Sequence, residues 1–160
     1  MHLVLIGYRG TGKSQVARLM AQRLDWPWVD TDDEIERRSG RTIAAIFAEQ
    51  GETAFRDLES QVLADLPQGN RSVLALGGGA VLRPQNRAII RQLGTVVWLT
   101  AAAETLAARI AADHATAARR PNLTAGGGIS EIIATLAARQ EVYRECADFQ
   151  VDTEHRTPTE

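Results

Sequence analysis

Gly7-Tyr8-Arg9-Gly10-Thr11-Gly12-Lys13-Ser14 separates two segments of different periodicity. Before it, Leu3 to Gly7 is a short apolar run, which reads as a buried parallel strand. After it, Val16, Leu19, Met20 and Leu24 recur at helical spacing and predict a helix from about Lys13 to Leu24. The octapeptide has the spacing G-x-x-x-x-G-K-[ST], and a strand before it with a helix after it is the context that makes this spacing a phosphate cradle. Its glycines let the backbone wrap closely around an anion. Loop N–H groups and the positive end of the helix attract phosphate. Lys13 can reach the β- and γ-phosphates of a nucleotide, and the Ser14 hydroxyl can ligate Mg²⁺. Gly10, Thr11, Gly12, Lys13, Ser14 and Gln15 are the expected nucleotide contacts.

Lys13 is also the only lysine among 18 basic residues; the other 17 are arginine. A position that keeps lysine against that bias calls for a compact ammonium on a thin stem. The chain has 160 residues, 44% hydrophobic and 24% charged, which suits one domain, 1–160, with one hydrophobic core. A net charge of −2 supplies no basic field for nucleic acid. No apolar run is long enough to span a bilayer, and the N-terminus lacks the pattern of a signal peptide. The one cysteine, Cys146, forms no intrachain disulfide, fits a reducing cytoplasm, and reads as a packing residue.

Outward from the loop, strands and helices alternate. Trp28 to Asp30 ends a second strand, and Thr31 and Asp32 can cap a helix to about Arg38, closed by Gly40. Thr42 caps a further helical stretch, broken near Gly51 and resumed to about Leu66. Ser72 to Leu76 is a third strand, Pro84 opens a helix to about Leu93, and Thr95 to Leu99 is a fourth strand. Helices are expected from about Ala102 to Ala112 and from Ile129 to about Cys146, then a fifth strand from Phe149 to Asp152. This alternation argues an α/β fold with a parallel central sheet and ligands at the carboxyl ends of the strands. Thr157-Pro158-Thr159-Glu160 has the pattern of a helix cap and first turn, so a C-terminal helix is expected and missing from the chain.

Four further features carry chemistry. Asp30-Thr31-Asp32-Asp33 follows the second strand. Asp30 is placed to hold Mg²⁺, and Asp32 shares its side if the segment stays extended, where it can orient an acceptor hydroxyl and take its proton. Helix capping is the plainer reading of the same residues. Arg56 and Arg139 lie in amphipathic helices; they suit a carboxylate-bearing substrate or an ordinary surface ion pair. Gly77-Gly78-Gly79 directly after a buried strand invites close substrate approach. Residues 113–128, with Arg119 and Arg120 and a terminal Gly-Gly-Gly, read as a mobile lid that excludes water and brings an arginine to the transferring group.

Taken in order, Gly-Tyr-Arg-Gly-Thr-Gly-Lys-Ser (7–14), Asp-Thr-Asp (30–32), Phe-Arg-Asp-Leu-Glu (55–59), Gly-Gly-Gly (77–79), Arg-Pro (120–121) and Arg-x-x-x-Tyr-Arg (139–144) resemble the shikimate kinase family over nearly the whole chain. The resemblance implies a three-layer P-loop kinase fold whose five-stranded parallel sheet has the order 2-3-1-4-5. It implies ATP and Mg²⁺ as cofactors and phosphorylation of the shikimate 3-hydroxyl by a monomeric cytoplasmic enzyme, with no nucleic acid or membrane partner. Lys13, Asp32 and Arg120 would be catalytic, Ser14 and Asp30 would serve the metal, and Arg120 and Arg156 would touch the nucleotide. Asp32, Arg56, Gly78 and Arg139 would hold shikimate. The alternatives are another small-molecule P-loop kinase, such as a gluconate kinase, and a catalytically silent shikimate sensor. A GTPase is excluded, because its Asn-Lys-x-Asp segment needs a second lysine.

Overall fold

The computed structural model describes residues 1–66, 69–113 and 128–160. Among them, strands β1 (His2–Ile6), β2 (Trp28–Asp30), β3 (Val73–Ala75), β4 (Gly94–Thr100) and β5 (Phe149–Asp152) form one sheet in the order β2-β3-β1-β4-β5. Every neighbouring pair is parallel, and Leu5 in the central strand is in register with Ala75 of β3 and Val97 of β4. The strand order is the one the resemblance implied. Helices α1 (Lys13–Leu24), α2 (Thr31–Ser39), α3 (Ile43–Ala64), α4 (Pro84–Leu93), α5 (Ala103–Ala112) and α6 (Gly128–Cys146) fill the connections.

Strand side chains alternate between the two faces of the sheet, and each face has its own core. Val4, Ile6, Leu74, Leu76, Val96 and Trp98 pack with Leu63, Ile90, Tyr143 and Cys146. Leu5, Val73 and Ala75 pack on the other face against Ala17 and Ala21 of α1. Burial on both faces explains why these strands read as continuous apolar runs. A third cluster, Ile35, Ile43, Ile46, Phe55 and Val62, ties α2 to α3.

The local signals mostly act where the sequence puts them. The Thr42 side chain accepts from Ala45 N, and Gly51 breaks α3 with φ 80° and ψ 175°. Gly40 closes α2 in the left-handed conformation, and Pro84 opens α4. Two expectations change. The N-cap of α2 is Asp30, whose Oδ1 accepts from Asp32 N at 2.9 Å; Thr31 is already helical, so Asp32 is not on an extended strand. The third strand is also shorter than expected, Val73–Ala75, although Leu3 N still donates to Ser72 O and Leu76 N to Leu5 O, each at 3.0 Å. At the C-terminus the Thr157 N–H donates to Glu160 Oε2 at 2.7 Å, the return half of a capping box. Of the expected lid, residues 113–128, only Asp113 and Gly128 are described, as the end of α5 and the start of α6; residues 114–127, with Arg119 and Arg120, lie outside the described residues. Among the described residues, no helix is long and apolar enough to cross a membrane.

Gly7 joins β1 to the glycine-rich loop at φ 140°, and a Cβ there would stand 2.4 Å from the Leu99 carbonyl oxygen of β4. No side chain fits between these strand ends. Gly7→Ala is expected to lower stability by about 2 kcal/mol or more through backbone displacement. The urea midpoint measures this; an unchanged midpoint would mean that the strand ends separate freely.

Candidate active site

The carboxyl ends of the strands open onto a cavity of ≈ 1060 Å³. One wall is the glycine-rich loop. Gly10 and Gly12 have φ of 83° and 89°, conformations that only glycine adopts readily. Gly12 is the N-cap of α1 and provides no side-chain cap, so the first-turn N–H groups of α1 face the cavity without one. A Cβ at Gly12 would meet nothing within 4 Å, which leaves the cradle open to a ligand. Thr11 Oγ1 and Lys13 Nζ both donate to the Tyr8 carbonyl, at 2.8 and 2.9 Å. These bonds hold the loop in its curve and keep the ammonium over it.

Arg109 braces the loop from α5. Its Nη2 donates to the Thr153 carbonyl at 2.7 Å, and its Nη1 donates to Thr153 Oγ1 at 3.0 Å and to the Gly10 carbonyl at 3.5 Å. The cavity continues past Arg109 to Thr153 and Arg156.

Across from the loop, the Ser14 hydroxyl donates to Asp30 Oδ2. Burial raises the Asp30 carboxyl above its ordinary range and the charge of Asp32 adds to that, while the hydrogen bond from Ser14 offsets part of the rise. Asp32 lines the same cavity one residue into α2. Between them Thr31, fully buried, accepts from Gly77 N at 2.9 Å and clips α2 to the glycine triplet after β3.

Ala80 N donates to Gly77 O at 3.0 Å and closes a turn, but none of Gly77, Gly78 and Gly79 has positive φ, so the turn does not require glycine. Close approach does, and the first group to approach is the protein itself. A Cβ on Gly78 would lie 3.3 Å from Gly7 O and 3.5 Å from Arg9 N, and one on Gly79 would lie 2.1 Å from Arg56 Nη1. Arg56 is 8% exposed, and its Nη1 donates to Glu59 Oε2 at 2.9 Å. Glu59 is 0% exposed. Arg139 Nη1 donates to the Gly78 carbonyl at 3.2 Å, and the buried Tyr143 hydroxyl donates to the same oxygen. Two guanidinium groups thus flank one two-glycine segment beside the cavity.

Gly10 through Ser14, Gln15, Asp30, Asp32, Gly78 and Arg156 therefore line one cavity. Arg56 and Arg139 lie against its glycine wall, and Arg120 falls outside the described residues. Glu59, Tyr143, Thr31 and Arg109 are site residues that the sequence reading missed. Glu59 has a detectable signal, because it stands three residues after Arg56 on one helix face.

The shikimate kinase family model matches residues 9–160. The shikimate kinase of Rhodopirellula baltica is 46% identical over 99% of this chain and 85% of the relative. That of Symbiobacterium thermophilum is 43% identical over 98% of this chain and 89% of the relative. The crystal structure of the Acinetobacter baumannii shikimate kinase in complex with shikimate superposes with a TM-score of 0.91 at 35% identity, covering 98% of this chain and 86% of that one.

The raised Asp30 carboxyl has a consequence for the ligand-free protein. A carboxyl that holds its proton better when folded contributes stability below its unfolded value, 3.8, and loses that contribution as pH rises through the folded value. At neutral pH the ionised Asp30 is a liability, and asparagine keeps the cap without the charge. Ligand-free Asp30→Asn is expected to melt above wild type at pH 7, with the gap closing as pH falls toward 3.8. Melting curves across that range check it, and a gap that is absent or constant with pH would contradict it.

Proposed function

Because the chain belongs to the shikimate kinase family, we propose that it transfers the γ-phosphate of ATP to the 3-hydroxyl of shikimate, yielding shikimate 3-phosphate and ADP. The observation that carries this reading is the flanking of Gly78 and Gly79 by Arg56 and Arg139 beside the cavity that the phosphate loop and Asp32 share. An acceptor held there by a carboxylate has its ring hydroxyls within the same cavity as the loop.

The loop N–H groups and the Lys13 ammonium bind the β- and γ-phosphates and spread the charge that develops on the transferring group. The Asp32 carboxylate accepts a hydrogen bond from the 3-hydroxyl, aligns it for in-line attack and takes its proton. Arg56 and Arg139 hold the shikimate carboxylate through charge-assisted hydrogen bonds, and the Gly78 backbone lies against the ring. Glu59 keeps the Arg56 guanidinium in place. Arg156 borders the part of the cavity that would take the adenine, and Arg120 is assigned to the ATP phosphates from the sequence pattern. Positioning and electrostatics supply most of the acceleration.

Ser14 and Asp30 would hold Mg²⁺. A hydroxyl and a carboxylate at the head of α1 are hard oxygen donors that suit this ion, and among the described residues no cluster of three or more His, Cys, Asp or Glu offers a separate metal site. When bound, the ion screens the phosphate charge and acts as a Lewis acid at the γ-phosphoryl oxygens.

ADP release from Mg-ATP is measured with shikimate, with gluconate, with nucleoside monophosphates and without acceptor. Release with shikimate alone supports the reading, and release with another acceptor overturns it. In the same assay Arg139→Ala is expected to raise KM for shikimate by about 10-fold or more, the worth of a charge-assisted bond, with KM for ATP nearly unchanged. An unchanged KM for shikimate would remove Arg139 from the carboxylate clamp.

A further inference from the structure

The proposed chemistry leaves Arg9 of the phosphate loop without a task. Its side chain is 13% exposed, and its Nη2 donates to Glu131 Oε1 at 3.2 Å. Glu131 lies in the first turn of α6, and its side chain is 1% exposed. A carboxylate buried to that degree is retained only with a partner, and removing either member of such a pair is costly. Arg9 Nε is itself buried with no hydrogen-bond partner among the described residues, so the guanidinium is held to the fold through Glu131.

The pair joins two elements that serve different ligands. Arg9 is part of the loop that cradles the nucleotide phosphates. Helix α6 carries Arg139 and Tyr143, which converge on the Gly78 carbonyl. Gly78 in turn lies close to the same loop, where a Cβ on it would stand 3.3 Å from Gly7 O and 3.5 Å from Arg9 N. The acceptor-side helix is therefore fastened to the phosphate loop at two points: its first turn, through Glu131 and Arg9, and its middle, through Gly78.

We propose that Arg9 and Glu131 are positioning residues that couple the two ligand sites. Nucleotide fixes the loop, the loop fixes the first turn of α6 through this ion pair, and α6 presents Arg139 to the acceptor. Shikimate has the reciprocal effect on nucleotide, as linkage requires. Each ligand meets part of its ordering already done by the other. The inference rests on the shikimate kinase reading.

Calorimetric titration of shikimate, with and without saturating Mg-ADP, reads the coupling without turnover. In the wild type, Mg-ADP is expected to tighten shikimate binding by about 5-fold or more, within the usual range for coupled sites. In Glu131→Gln the factor is expected to fall below about 2-fold, with affinity for each ligand alone retained. Arg9→Met keeps the aliphatic stem and should lose the factor equally. The double variant should lose no more than either single one, because both remove the same bond. Arg9→Lys, which keeps the charge, should retain part of the factor. A wild type that binds both ligands without coupling, or variants that keep the full factor, would overturn the proposal and leave the functional reading intact. A wild type that binds nucleotide but no shikimate would overturn both.

Discussion

Two loops at the carboxyl ends of adjacent strands run so close that a Cβ on Gly78 would already meet the other loop, and the site is built around that approach. On the proposed reading the loop after β1 receives phosphates, and the loop after β3 forms the acceptor wall. Their strands pair in parallel register, Leu5 against Ala75, so both loops leave the sheet on the same side and at the same height. At Gly78 the gap between them has room for little more than a Cβ, which would stand 3.3 Å from Gly7 O and 3.5 Å from Arg9 N. A phosphoryl donor and its acceptor must lie within bonding reach of each other. A wall one side chain thicker would push the two pockets apart.

That proximity concentrates charge, and the fold handles it by pairing. Arg56 is buried behind Gly79, where an unpaired guanidinium would be costly, and Glu59 at 0% exposure answers it. Arg9 is answered by Glu131 in the same way. Breaking such a pair costs roughly 3–5 kcal/mol, while replacing the whole pair with apolar groups is often neutral. Their value here lies in fixing direction: each carboxylate keeps a guanidinium aimed at the glycine wall or at the loop. Asp30 and Asp32 are the opposite case. Burial, and after it the charge of Asp32, raises the Asp30 carboxyl, a cost that a bound cation would offset.

The sheet was legible in the sequence because burial on both faces writes strands as continuous apolar runs, and Gly40, Gly51, Thr42 and Pro84 mark breaks by backbone chemistry that local sequence determines. The loop at residues 7–14 was legible for the same reason. The Asp30–Asp32 segment was half legible. Its acidic character pointed to the site, but an Asp in this position can cap a helix or continue a strand, and only the tertiary path after β2 decides between them. The glycine triplet was read as room for a substrate, whereas the structure shows it first as room for Arg56 and for the neighbouring loop. Thr31, Tyr143 and Glu131 were illegible as site residues, since each gains its role from a partner on another element, whereas Glu59 had the signal of its i,i+3 spacing from Arg56.

The fold by itself does not choose an acceptor. A phosphate loop at the head of α1 binds the terminal phosphates of a nucleotide whatever stands opposite, because its donors are backbone N–H groups and one lysine. On the proposed reading selection falls to the facing wall, where backbone glycines stand beside two guanidinium groups, Arg56 from α3 and Arg139 from α6. Planar forks suit a carboxylate better than a neutral hydroxyl cluster, since a carboxylate accepts two charge-assisted bonds at once. An uncharged polyol that fits the cavity would form only neutral-acceptor hydrogen bonds with these guanidinium groups, so on the proposed reading discrimination between acceptors follows from the weaker bonds it makes.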